Sequence, residues 1–181
     1  MRSGVALSSA AGGGARLEPR VPTDSDDMVA AAARSVRTAL EAGVARQTVE
    51  LHIPLPPETS PEDLDPWPGG LPQIAEYALP LARECLRKAV KGGSEVQEVV
   101  LSKDDGCVQL YCQGETAKDD AMMILQPGAE TFDELRQLDD AVGERLLVLV
   151  NPKLVGPQSL GLFQGAVSKD FFKGGSLRDK F

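Results

Sequence analysis

Two uninterrupted apolar runs, Ala121-Met122-Met123-Ile124-Leu125 and Leu146-Leu147-Val148-Leu149-Val150, constrain the fold more than any other feature of the chain. A strand with one face in water alternates apolar and polar residues. A run without alternation reads as a strand buried on both faces, the situation created when helices cover both sides of a parallel sheet. Between the runs, Phe132, Leu135, Leu138 and Val142 recur at helical spacing, Thr131 and Glu134 form a capping-box pattern, and Gly143 supplies a stop. The segment therefore predicts strand, helix, strand.

The preceding elements fit the same plan. Thr23-Asp24-Ser25-Asp26 offers a cap with acids in the first turn, and Val29, Ala32, Ala33, Val36 and Leu40 follow at helical spacing up to Gly43. From 47 to 55, Val49, Leu51, Ile53 and Leu55 alternate against Gln47 or Thr48, Glu50, His52 and Pro54, a half-buried strand with His52 on its surface side. A proline-rich loop leads to Asp65-Pro66-Trp67-Pro68-Gly69-Gly70, which holds the only tryptophan. A helix over 71–91 carries Leu71, Ile74, Ala78, Leu81, Ala82, Cys85 and Ala89 on one side, and Pro80 predicts a kink in it. Strands over 96–101 and 107–112 flank a tight turn at Asp105-Gly106. The pairs Asp104-Asp105 and Asp119-Asp120 read as solvated turns. The expected fold is α/β and three-layered: a mostly parallel sheet with one antiparallel hairpin and helices on the faces.

Length and charge narrow the function. A chain of 181 residues suits one domain, placed here at 23–155. Residues 1–22 are rich in Ala, Gly, Ser and Arg and read as a disordered leader or a transit-peptide remnant. Residues 156–181 form a Gly/Phe-rich tail, read as an incomplete continuation of the domain, with the fold truncated at its C-terminal side. The net charge is −8 and the leader is basic, so the body is strongly acidic, which disfavours nucleic acid. No apolar run approaches the about 20 residues of a membrane-spanning helix, although peripheral membrane contact is compatible. Cys85, Cys107 and Cys112 read as buried small hydrophobes. With His52 the lone histidine, no metal site is expected, and none of the phosphate-loop or dinucleotide glycine motifs is present, so no cofactor is expected either. Gly156-Pro157-Gln158-Ser159-Leu160-Gly161 is one residue off a nucleophile elbow, and His52 precedes its serine instead of following it. No catalytic residue is assigned.

In sheets of this kind ligands bind beyond the carboxyl ends of the strands. Two groups should meet there: the turn with Trp67, Gly69 and Gly70, and Asn151 with Lys153 after the last strand. The amides opening the helix could receive an anion with Lys153 as counter-charge. The competing reading is a purely structural turn in which Trp67 covers the helix end.

Pro22 before the acidic, alanine-rich helix, Val49-Glu50-Leu51 with Pro54, Asp65-x-Trp67-Pro68-Gly69-Gly70 and Leu149-Val150-Asn151-Pro152 together resemble an uncharacterised domain of plant, algal and cyanobacterial-lineage proteins. That domain occurs in a chloroplast factor needed for photosystem II accumulation and as the C-terminal extension of a chloroplast adenylate kinase. The resemblance spans residues 22–153. It implies a chloroplast location facing the stroma, with thylakoid-peripheral contact, and protein partners among photosystem assembly or membrane insertion factors. It supplies no catalytic residues. The expected function is accordingly a non-enzymatic assembly or interaction factor for photosynthetic complexes. The alternative is a small-molecule enzyme or binding module for a phosphorylated compound.

Overall fold

A computed structural model describes residues 21–60 and 62–153. The expected leader, the near-elbow motif at 156–161 and the phenylalanines from Phe163 onward lie outside the described residues. The elements are α1 (Ser25–Glu41), β1 (Arg46–Val49), α2 (Gly70–Ala89), β2 (Val96–Ser102), β3 (Cys107–Cys112), β4 (Ala121–Leu125), a 3-10 turn (Ala129–Thr131), α3 (Phe132–Val142) and β5 (Leu146–Val150). They build one five-stranded sheet of order β1-β5-β4-β3-β2. β1, β5 and β4 pair parallel, while β3 runs antiparallel to both β4 and β2. All strands except β3 therefore share one direction.

The two apolar runs become β4 and β5, adjacent and central, with every residue of β5 buried. Alternate residues of the sheet face opposite cores. Leu110, Met123, Leu125, Val148 and Val150 pack under α1 and α2, whereas Ile124, Leu147 and Leu149 pack under α3. The three layers follow from that division. Cys112 belongs to the first core and Cys107 to the second, as their odd spacing on one strand requires. Burial pushes the Cys85 thiol up to about 12 and the Cys107 thiol up to about 11, so both behave as apolar filling.

Three local expectations are corrected. The strand predicted over 47–55 ends at Val49 because its partner β5 ends at Val150, and Leu55 is exposed. Of the two residues offered for the outward face, Thr48 is exposed and Gln47 is buried, on the same face as Val49. The Gln47 amide donates to the carbonyls of Val36 (3.1 Å) and Val44 (2.8 Å), so an inward polar group is satisfied by α1 and the loop after it. Thr131 does not cap α3. Its hydroxyl turns back to accept from the Gly128 amide (3.2 Å) and donate to the Gly128 carbonyl (3.1 Å), closing the 3-10 turn instead.

α2 continues through Pro80, which stands on its exposed side. No helix among the described residues is long and apolar enough to cross a membrane.

Candidate functional site

Trp67, Gly69 and Gly70 sit where expected, at the entry to α2. Asp65 accepts from the Trp67 amide (2.9 Å), and the Trp67 ring meets Tyr77 of α2 edge-on, centroids 5.4 Å apart and planes at 71°. The indole thus covers the first turns of the helix. Gly69 caps α2 without a side chain, and Gly70 takes a φ of +64°, a conformation glycine adopts at little cost. Two of the amides proposed to receive an anion already have acceptors. Gly69 donates to Gln73 Oε1 (2.8 Å) and Gly70 to the Trp67 carbonyl (2.8 Å). Pro72 in the same turn has no amide to offer.

Asn151 and Lys153 lie beyond the end of β5. Asn151 has a φ of +47°, and its side chain imitates a strand residue: Oδ1 accepts from the Leu51 amide (2.7 Å) while Nδ2 donates to the Leu51 carbonyl (3.0 Å). The side chain thereby continues the β1–β5 pairing past the point where the strands stop. Lys153 is exposed, and its backbone amide donates to the Pro127 carbonyl (2.8 Å). No hydrogen bond or ion pair joins the Trp67 group to Asn151 or Lys153 among the described residues.

What approaches both groups is Gln126, at the carboxyl end of β4. Its backbone amide donates to the Val150 carbonyl (2.8 Å), and its side-chain Nε2 donates to the Leu71 carbonyl in the first turn of α2 (3.3 Å). Gln126 is 1% exposed, has a φ of +50°, and its Oε1 is buried with no hydrogen-bond partner. A left-handed conformation is less natural for Gln than for Asn and costs about 1–2 kcal/mol.

Residues 22–181 match the family model described as Domain of unknown function (DUF1995). The chain belongs to the DUF1995 family. No curated protein and no solved structure matches it. The DUF1995 match continues through residue 181, past the 22–153 segment that carries the resemblance.

Two features of this DUF1995 domain escape sequence reasoning. Gln126-Pro127 follows β4 as Asn151-Pro152 follows β5, a repeated polar–proline step after an apolar run that would have singled out Gln126. At the other end of the sheet, Asp120 is buried rather than in a solvated turn. It accepts from the Tyr111 hydroxyl (2.7 Å) and the Gly114 amide (3.0 Å), and Arg145 stands 3.7 Å away. The Tyr111 hydroxyl, then the Gly114 amide and the Arg145 charge, hold the Asp120 carboxyl below its ordinary range, while the same hydrogen bond raises the Tyr111 phenol. Among the described residues, no His, Cys, Asp and Glu side chains gather in a group of three or more that could hold a metal ion.

The geometry gives Asn151 a structural task that can be measured. Asn151→Ala removes two hydrogen bonds and leaves alanine at positive φ, so a loss of about 1–3 kcal/mol is expected in urea unfolding. Asn151→Gly, which tolerates the backbone conformation, should lose less. Equal losses for the two variants would show that the backbone conformation adds nothing to the cost.

Proposed function

We propose that this domain is a non-enzymatic plastid protein, stroma-facing, that acts as an assembly or interaction factor for photosynthetic complexes of the photosystem II type. The observation that carries the interaction reading is the stretch from Gln47 to Ala82. It contains Glu50, Glu58, Glu62, Asp63, Asp65 and Glu76, all exposed, and neither Lys nor Arg. Within it Leu64 is 103% exposed and Leu55 about half exposed. Next to Leu64, the Asp63 carboxylate accepts from the Ser60 amide (2.6 Å) and the Asp63 amide donates to the Ser60 carbonyl (3.0 Å). Fixed negative charge with projecting apolar side chains suits a partner segment that is basic and amphipathic. The engagement of the Gly69, Gly70 and Asn151 polar groups inside the fold also supports a non-catalytic role. The photosynthetic assignment and the plastid location rest on the resemblance to the photosystem II accumulation factor and the adenylate kinase extension.

The test is a tagged pull-down from plastid extract, run beside a variant carrying Glu58→Lys, Glu62→Lys and Leu64→Ser. Recovery of photosystem subunits or insertion factors by the native protein, lost in the variant and weakened by salt, is the expected result. Photosystem II levels and assembly intermediates that stay unchanged when the protein is removed would overturn the proposal.

A second reading, a binding module or small-molecule enzyme for a phosphorylated compound at the cleft beyond the strand ends, is favoured by the orphan Gln126 Oε1. That atom is an acceptor, so it suits a hydroxyl or ammonium group of such a compound rather than its phosphate. A metabolite that co-elutes with the native protein and is absent from Gln126→Leu would favour this reading.

A further inference from the structure

The carboxylates of the 47–82 stretch have no cation of their own. Glu50, Glu58, Glu62, Asp63, Asp65 and Glu76 take part in no ion pair among the described residues, whereas the acids bordering β2 are matched, Glu98 to Arg83 and Glu84 to Arg87 and Lys88. Asp63 and Asp65 accept from backbone amides of their own loop, those of Ser60 and Trp67. Unmatched like charges repel one another, and cations brought in from elsewhere relieve them. Apolar groups stand among the carboxylates: Leu55 and Leu64 are exposed, and Trp67 is half-buried against Tyr77.

The chain carries a segment of the matching kind. Residues 165–181 hold Lys169, Lys173, Arg178 and Lys180 against Asp170 and Asp179, a net +2, together with Val167, Phe171, Phe172, Leu177 and Phe181. The overall charge is −8, so the remainder of the chain carries −10. The family match runs over residues 22–181, so this segment is part of the DUF1995 domain. The chain also leaves β5 next to the acidic stretch. Asn151 holds both the amide (2.7 Å) and the carbonyl (3.0 Å) of Leu51, the residue after Glu50. From Lys153 to Lys169 the backbone can reach up to about 50 Å, so distance does not keep the lysines from any part of the stretch.

We propose that residues 165–181 occupy the acidic surface of their own chain, with Lys169 and Lys173 against Glu58, Glu62, Asp63 and Asp65, so that a partner must displace them. Charge and tethering select this occupant. A segment on the same chain meets the surface at an effective concentration on the order of 1 mM, so weak contacts suffice to fill it. A second copy of the chain arrives with −8 and is repelled. The inference rests on the interaction reading of this surface and adds its regulation: the surface is self-occupied until a basic segment of higher affinity competes for it.

Zero-length carbodiimide coupling of the full chain should join Lys169 or Lys173 to Glu58, Glu62, Asp63 or Asp65, read by mass spectrometry of the monomer band. The yield should be unchanged on dilution and should fall in about 0.5 M salt. A synthetic peptide of residues 165–181 should bind the full chain carrying Lys169→Glu and Lys173→Glu about tenfold more tightly than the native chain, whose surface is filled. Trp67, the only tryptophan, reports that binding by its fluorescence. Absence of these cross-links, a yield that rises with protein concentration, or a peptide that binds both chains equally or neither overturns the proposal. The partner reading fails separately. Cross-links with no partner recovered from plastid extract support self-occupancy and remove the partner, whereas a recovered partner without cross-links overturns self-occupancy alone.

Discussion

Arg46→Ala is expected to destabilise the domain by about 3–5 kcal/mol, read as a fall in the urea midpoint at unchanged slope. Arg46 opens β1, yet its guanidinium works at the far end of α3. Nε donates to Asp139 Oδ1 (2.6 Å), Nη1 to the Arg145 carbonyl (2.6 Å), and Nη2 to the carbonyls of Asp139 (3.3 Å) and Gly143. α3 has no basic residue in its last turn, so the cation that its C-terminus favours comes from another element. Arg145 adds to the same cap through the carbonyls of Val142 (3.0 Å) and Ala141 (2.7 Å). Removing Arg46 takes the guanidinium from an Asp139 that is 4% exposed and strips donors from helix-end carbonyls. Arg46→Lys keeps the charge but not the fork, and should recover only part of the loss. Because the pair is buried, salt should not reproduce the effect. A loss below about 1 kcal/mol, the value of a surface pair, would show that the network contributes little.

That network also shows where the sequence stops being informative. β4 and β5 are legible because burial on both faces leaves a local signature, and α1, α2 and α3 because their apolar stripes repeat within a few residues. Arg46 and Asp139 stand 93 positions apart, and neither carries a pattern that names the other. Asp120 is similar: Tyr111 is near in sequence, but Arg145 arrives only because β5 starts beside β4. Gln47 failed for a different reason. Its polarity suggested the outward face although its parity with Val49 put it inward, and a glutamine can face inward when two backbone carbonyls are waiting for its amide. At the candidate site both groups lie near the carboxyl ends of β4 and β5, where the sequence placed them. It did not show that their polar atoms are largely used in holding the turn and the β1–β5 pairing. Nor did it show that Gln126 stands between them with an acceptor to spare.

The second large effect is expected at Gly106→Ala, with a loss of about 2–4 kcal/mol. Gly106 has a φ of +61° and is buried in the turn joining β2 to β3, which abuts the start of α2. An added Cβ would stand 2.6 Å from the Leu71 carbonyl oxygen and 2.7 Å from Ala75 Cβ. The first neighbour is helix backbone and cannot swing aside as a flexible side chain would. Gly143 provides the control: it has the same φ of +61°, but nothing lies within 4 Å of its added Cβ. Gly143→Ala should therefore carry a conformational penalty alone, at a ψ of −123°, with no steric contact added to it. A Gly106→Ala loss no larger than the about 1–2 kcal/mol of a left-handed residue would mean that the turn does not press on the helix. The contact bears on the candidate site as well, because the Leu71 carbonyl that the new methyl would displace is the one accepting from Gln126 Nε2. Gly106→Ala should thus loosen Gln126 from α2 as well as destabilise the fold. Faster exchange of the Gln126 side-chain amide protons under native conditions is the signature that separates this from a uniform loss of stability.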